Sequence, residues 1–283
     1  MTQQEARQRL AALGRVPDAG FDAIEAALSL AEADEPGSPV LQARAAFQAL
    51  CSAAQHLLDE NPDAAAGNGG ARARLIAALL ASHFYAGDRE TYDDPRNANL
   101  AEVLVRRRGL PVALGLIWIG LARQLSWGIG GVDFPGHFLL AIQDTTEDGR
   151  TVLLCDPFDS GRLLDLAALT ALKSRITGTD AVPQEIDLAP MSDRAVVLRL
   201  ANNLRLRRIN AKAWDAALTI TEAMALLAPD ASALLFAAGE LALRVGRQRA
   251  AITHLRGFLE TAPPPAQRSA AEALLDKARQ SLN

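Results

Sequence analysis

Between Asp93 and Asp156 the chain runs from a polar turn into an apolar helix and then into apolar strands, and the rest of the chain is organised around this stretch. Pro111 to Leu125 predicts the helix. Proline in its first turn gives up only an amide hydrogen that has no partner inside the helix. Ala113, Leu114, Ile117, Trp118, Leu121 and Leu125 cover most of the circumference, so other elements have to enclose it. Gly115, Gly120 and Ala122 let a neighbour approach closely. After a glycine-rich turn, Gly128 to Gly131, the segment Val132 to Ile142 carries Pro135-Gly136, which aim a strand opening at His137. Gln143 to Arg150 reads as a polar hairpin turn and Thr151 to Cys155 as a second strand, which Asp156 ends.

His137 and Asp156, if they face one another across adjacent strands, make a base and the acid that orients it. A nucleophile is missing. The helix start reads Gly109-Leu110-Pro111-Val112-Ala113, with no thiol or hydroxyl. Cys155 alternates to the face opposite Asp156, and Cys51 belongs to a distant helix. Ser126 and Ser160 lack the helix-N-terminal setting that activates a nucleophile. One histidine among Asp133, Asp156 and Asp159 is thin for a metal, so no metal and no cofactor is expected. The turn Tyr92 to Asn99 and the residues after it offer two readings. Asn97, Asn99, Arg107, Arg108, Gly109 and Pro111, with Pro135 and Gly136, either rim a cleft or simply cap and turn the backbone. One arginine of Arg106 to Arg108 could pair with Asp93, Asp94 or Asp156.

Around this stretch the chain reads as helical. Thr2 caps a first helix ending near Gly14, Asp18 to Ala33 makes a second and Ser38 to Asp59 a third. Asn61 to Gly70 is expected as a loop and Ala71 to Phe84 as a helix. A short helix, Leu166 to Arg175, precedes a breaker-rich linker, Thr177 to Pro190. Then come helical runs at Arg194 to Arg208, Ala211 to Leu227, Ala231 to Val245 and Arg247 to Glu260, with a last one from Pro265. Trp214-Asp215-Ala216-Ala217-Leu218 returns as Gln248-Arg249-Ala250-Ala251-Ile252, an offset of 34 residues that suits a tetratricopeptide helix pair. The expected architecture is α+β over 1–190, including the N-terminal helices, and an all-α repeat module over 191–283. Interspersed charges summing to -4 argue against nucleic acid. The broken apolar run Leu110 to Leu125 argues against a membrane span, and the absence of a leader pattern makes the cytoplasm the expected location.

The segments RRxGxP, FPGHF and DPF, in that order, resemble the bacterial Sir-B family, transglutaminase-like proteins that end in tetratricopeptide repeats. The resemblance covers about residues 40–260 and implies a papain-like, transglutaminase-type core before a repeat module. It assigns His137 and Asp156 to base and orienting acid, and it places the superfamily's cysteine at Pro111 or Val112, a departure that the family shares. The expected function is accordingly a non-catalytic regulatory or scaffold module that captures a protein or peptide through its helical repeats. The alternative is a hydrolase or acyl transferase in which His137 and Asp156 act with a non-cysteine nucleophile or an activated water.

Overall fold

The computed structural model describes residues 2–146, 149–178 and 182–281. Helices α1 (Gln3–Leu13), α2 (Ala23–Asp34), α3 (Val40–Asp59), α4 (Pro62–Ala65) and α5 (Gly69–Ser82) open the chain. A short parallel pair, β1 (Ala86–Gly87) and β2 (Arg108–Gly109), brackets α6 (Leu100–Arg106). Helix α7 (Pro111–Gln124) leads into strands β3 (Ile129–Phe134), β4 (His137–Thr146), β5 (Gly149–Asp156) and β6 (Arg162–Leu164). Helix α8 (Leu166–Thr177) and strand β7 (Pro190–Met191) precede the helices α9 (Asp193–Asn210), α10 (Trp214–Leu227), α11 (Ser232–Arg244), α12 (Gln248–Glu260) and α13 (Pro265–Gln280).

Two compact units divide the chain. One comprises 18–28 and 38–200, the other 1–17, 29–37 and 201–283. The first is the α+β unit. Its sheet has the order β6-β5-β4-β3-β7 with every pairing antiparallel. Helix α7 packs on β3 and β4, and its residues from Pro111 to Ala122 are all buried, as an apolar surface all round requires. The glycines do what close approach demands. A Cβ on Gly115 would stand 2.2 Å from the Phe138 ring, and one on Gly120 would meet Ile24 and Phe47.

Several local expectations change. Gly128 to Gly131 is not a turn, because Ile129 to Gly131 belong to β3, where Gly131 lets Val196 and Phe138 pack against the backbone. Val132 to Ile142 is therefore a two-residue hairpin about Pro135-Gly136, with Phe134 paired to His137. Gly136 takes φ +66, the conformation that a tight proline–glycine turn needs at its second position. Asn61 to Gly70 is not all loop, since α4 lies within it and Asn68 caps α5 by accepting from the Ala71 N–H. The tip of the expected hairpin turn, 147–148, and 179–181 of the expected linker lie outside the described residues.

The second unit is helical. Helices α10 to α13 pack each on the next, and α1 packs on α10. Thr2 caps α1 through a reciprocal bond with Glu5. Small side chains, Ala217, Ala238, Ala242 and Ala251, sit fully buried where the helices meet. Among the described residues no helix is long and apolar enough to cross a membrane.

Candidate functional site

The antiparallel register creates the central pair. Leu140 lies opposite Cys155, so one step further Asp156 falls opposite Leu139, and His137 is its diagonal neighbour on the same face. His137 Nε2 stands 2.9 Å from Asp156 Oδ2, with the two side chains 17% and 9% exposed. The other carboxylate oxygen has its own task. Asp156 Oδ1 accepts from the backbone N–H of Phe158 (2.9 Å) and of Asp159 (3.3 Å), capping the turn Pro157–Asp159. Ser160 at φ +54 and Gly161 at φ +75 then reverse the chain. There Gly161 sits so close to Trp118 of α7 that a Cβ would lie 2.7 Å from the indole.

Burial by itself would push the Asp156 carboxyl upward. The His137 hydrogen bond and charge, with the two backbone donors, outweigh it and hold the group below the usual carboxylate range. Asp156 is thus an anion that fixes the ring rather than a proton donor.

Arg199 supports the same hairpin. It donates through Nη2 to the His137 carbonyl at 2.8 Å, pairs through Nη1 with Asp133 on β3, and lies 5.7 Å from the Phe138 ring. Nothing in the sequence marks Arg199, which stands in a helical run more than 60 residues from these partners. Tyr92 packs edge-on against Phe158 at 5.9 Å, which brings the polar turn beside the residues that follow Asp156. Arg89 covers the same Phe158 ring at 4.9 Å.

The expected rim residues divide into groups. Pro135 and Gly136 form the turn that presents His137. Asn97 is fully buried, and its partners are internal: Nδ2 donates to Asp88 (3.0 Å) and to the Thr91 carbonyl (2.7 Å), and Oδ1 accepts from Arg106 (3.3 Å). Its carbonyl accepts from the Leu110 N–H, which ties it to buried Gly109 and Pro111 at the start of α7. Asn99 accepts from the N–H groups of Ala101 and Glu102 as the cap of α6. Arg107 ends that helix at φ 63, and Arg108 donates to the Phe84 carbonyl. Asn99 thus caps α6, while Asn97 is held by the side chains of Asp88 and Arg106 and by the Thr91 carbonyl. Arg106 lies 3.8 Å from Asp88 and 4.0 Å from Asp94. Asp88, which sequence reasoning passed over, is the hub of this turn, held near a pKa of about 2 first by the Thr91 hydroxyl and then by backbone donors.

Neither thiol is prepared to react. Burial, with the neighbouring Asp156 charge, pushes Cys155 up to about 12, and burial pushes Cys51 up to about 11. Among the described residues no three His, Cys, Asp or Glu side chains gather as a metal site would need.

A buried helix against an antiparallel sheet, with a histidine opening one strand and an aspartate ending the next, defines a papain-like α+β core. Residues 42–202 match the family described as transglutaminase-like superfamily, and the chain belongs to that family. It is 34% identical over 183 residues to a UPF0162 protein of Xylella fastidiosa (strain Temecula1), covering 63% of each chain. It is 26% identical over 250 residues to a UPF0162 protein of Vibrio cholerae, covering 87% of this chain and 89% of that protein. A shorter stretch of 84 residues is 33% identical to human F-box only protein 21, spanning 28% of this chain and 13% of that protein. No solved structure matches the chain.

Proposed function

We propose that the protein is a thiol-independent hydrolase or acyl transferase in which His137, oriented by Asp156, acts as general base. The observation that carries this reading is the division of labour at Asp156: one oxygen is anchored by two backbone donors, the other receives His137 Nε2. With Nε2–H given to the carboxylate, the lone pair is on Nδ1, the nitrogen free to take a proton. Water or a substrate hydroxyl would lose that proton as its oxygen bonds to an acyl carbon. The imidazolium would return it to the leaving group as the old acyl bond breaks. Asp156 stays ionised and stabilises the imidazolium between the two steps.

A second reading, a regulatory module that captures a protein or peptide, is favoured by the consecutive packing of α10 to α13 and by the absence of a thiolate. Membership of the Sir-B branch, tetratricopeptide character of the helices and a cytoplasmic location belong to our proposal; the bacterial UPF0162 relatives and the 34-residue offset support the first two. The two readings part on turnover. A panel of activated acyl esters and amides, assayed with wild type and His137→Gln, should give turnover that falls at least about 100-fold in the variant, the scale of a lost general base. Equal rates in two proteins with the same circular dichroism would leave the binding reading in possession.

A further inference from the structure

The helical unit contains a groove of about 530 Å³ walled by alternate helices of the run, α9, α11 and α13, with Trp214 from the start of α10 at its floor. Leu241 and Leu274 make the floor apolar. The charged lining is three cations, Arg205, Arg244 and Lys277, against one acid, Glu240.

Three other cations of the same unit each hold a carboxylate. Arg7 meets Glu222, Arg208 meets Asp34 and Arg247 meets Asp215. Among the described residues no carboxylate pairs with any of the three in the groove. Arg205 is half-buried and its Nε donates to an amide oxygen, Asn202 Oδ1, at 3.0 Å. Burial lowers its pKa with nothing acidic to oppose the shift. Arg244 lies over the Trp214 ring at 4.4 Å, so its guanidinium is oriented while its edge still has hydrogens to donate. Guanidinium groups held in place and partly stripped of water bind carboxylates more strongly than solvated ones, because less hydration and less rotamer freedom are lost on pairing.

We infer that this groove binds an acidic peptide segment of a partner protein, its carboxylates on Arg205, Arg244 and Lys277 and an apolar side chain between them against Trp214. A polyphosphate backbone suits the site less well: Glu240 repels a continuous run of charge, and the apolar floor offers a phosphate nothing. The inference is independent of the acid–base reading of His137, which lies in the other unit.

The test is a selection from a random decapeptide library on the immobilised full chain, followed by fluorescence anisotropy with the enriched peptide, its Gln/Asn counterpart and a 12-nucleotide single-stranded DNA. The expected pool is enriched in Asp or Glu flanking a Leu, Ile or aromatic residue. The neutral counterpart and the DNA should bind at least ten-fold more weakly, and Lys277→Glu with Arg244→Glu, both at exposed positions, should weaken the acidic peptide at least ten-fold. Arg205→Gln tests the half-buried cation, with circular dichroism confirming its fold. The inference is overturned by a selection that yields no binder, a pool without acidic enrichment, affinity unmoved by the charge reversals, or tighter binding to the DNA.

Discussion

Replacing Asp156 with alanine should cost the α+β unit about 2–5 kcal/mol, because it leaves the His137 Nε2–H and two backbone donors without an acceptor. The structure locates the loss. The carboxylate is 9% exposed and accepts three hydrogen bonds, two short ones from His137 Nε2 and Phe158 N (both 2.9 Å) and a longer one from Asp159 N (3.3 Å). At roughly 1–3 kcal/mol for each buried donor left without a partner, the two short bonds alone reach that range. Asp156→Asn separates charge from shape. Its amide oxygen can keep the Phe158 N–H while its nitrogen donates to Nε2, so the loss should shrink to about 1–2 kcal/mol. The ring must then carry its proton on Nδ1, the wrong tautomer for a base, and turnover should fall by roughly 10³-fold or more although the fold survives. Because the folded carboxyl lies below its unfolded value, its contribution is complete above about pH 4 and disappears as the pH falls through the folded value. The stability gap between wild type and Asp156→Asn should therefore narrow on acidification. Urea unfolding of 5-fluorotryptophan-labelled protein reads this cleanly, since Trp118 and Trp127 report the α+β unit and Trp214 the helical one, and no two-state assumption for the whole chain is needed. A loss below about 1 kcal/mol in Asp156→Ala, within the range of an ordinary substitution, would contradict the role given to these three hydrogen bonds.

Three further outcomes follow from the same geometry. Thr91→Val removes the 2.6 Å hydroxyl bond to Asp88; the carboxyl should climb from about 2, and the acid-unfolding midpoint should rise with a loss of about 1 kcal/mol at neutral pH. Arg208→Ala strands Asp34, whose side chain is 0% exposed, and should cost about 3–5 kcal/mol in the Trp214 signal. Burial, the larger influence, already raises Asp34 to about 6 against the opposition of Arg208, so this loss should be greater at pH 8 than at pH 5, the sign for an acid whose folded value is raised. Iodoacetamide at pH 8 should leave Cys155 unlabelled in the folded protein and modify Cys51 far more slowly than free cysteine, as mass spectrometry would record; rapid labelling of either would contradict the burial argument.

What was legible in the residues was what local chemistry dictates. Thr2 with Glu5 marks a helix start, Pro111 opens α7 at the position where proline costs nothing, and the helices α9 to α13 begin and end close to the breakers that bound them. His137 and Asp156 were legible as a pair because alternation along two adjacent strands fixes which side chains share a face. Strand β3 was not. Two glycines in Ile129-Gly130-Gly131 read as a turn, and only the pairing with β4 and β7, together with Val196 seated over Gly131, makes the segment extended. Arg199 and Asp88 were missed for a related reason. Their roles come from partners that no window of sequence places beside them, the His137 carbonyl for one and the folded turn from Thr91 to Asn97 for the other. Asn97 and Asn99 show the same limit: their internal partners, Asp88, Thr91 and Arg106 for Asn97 and the first N–H groups of α6 for Asn99, come into view only in the folded chain.

The proposed chemistry needs a base that works without a thiol, and one comparison addresses that directly. Acyl-ester turnover should be measured for wild type, for the double variant Cys51→Ala with Cys155→Ala, and for His137→Gln, each confirmed folded by circular dichroism. The cysteine-free protein should keep wild-type turnover within about three-fold while the histidine variant loses at least about 100-fold. Turnover that vanishes with the cysteines, or that persists without the imidazole, would contradict it.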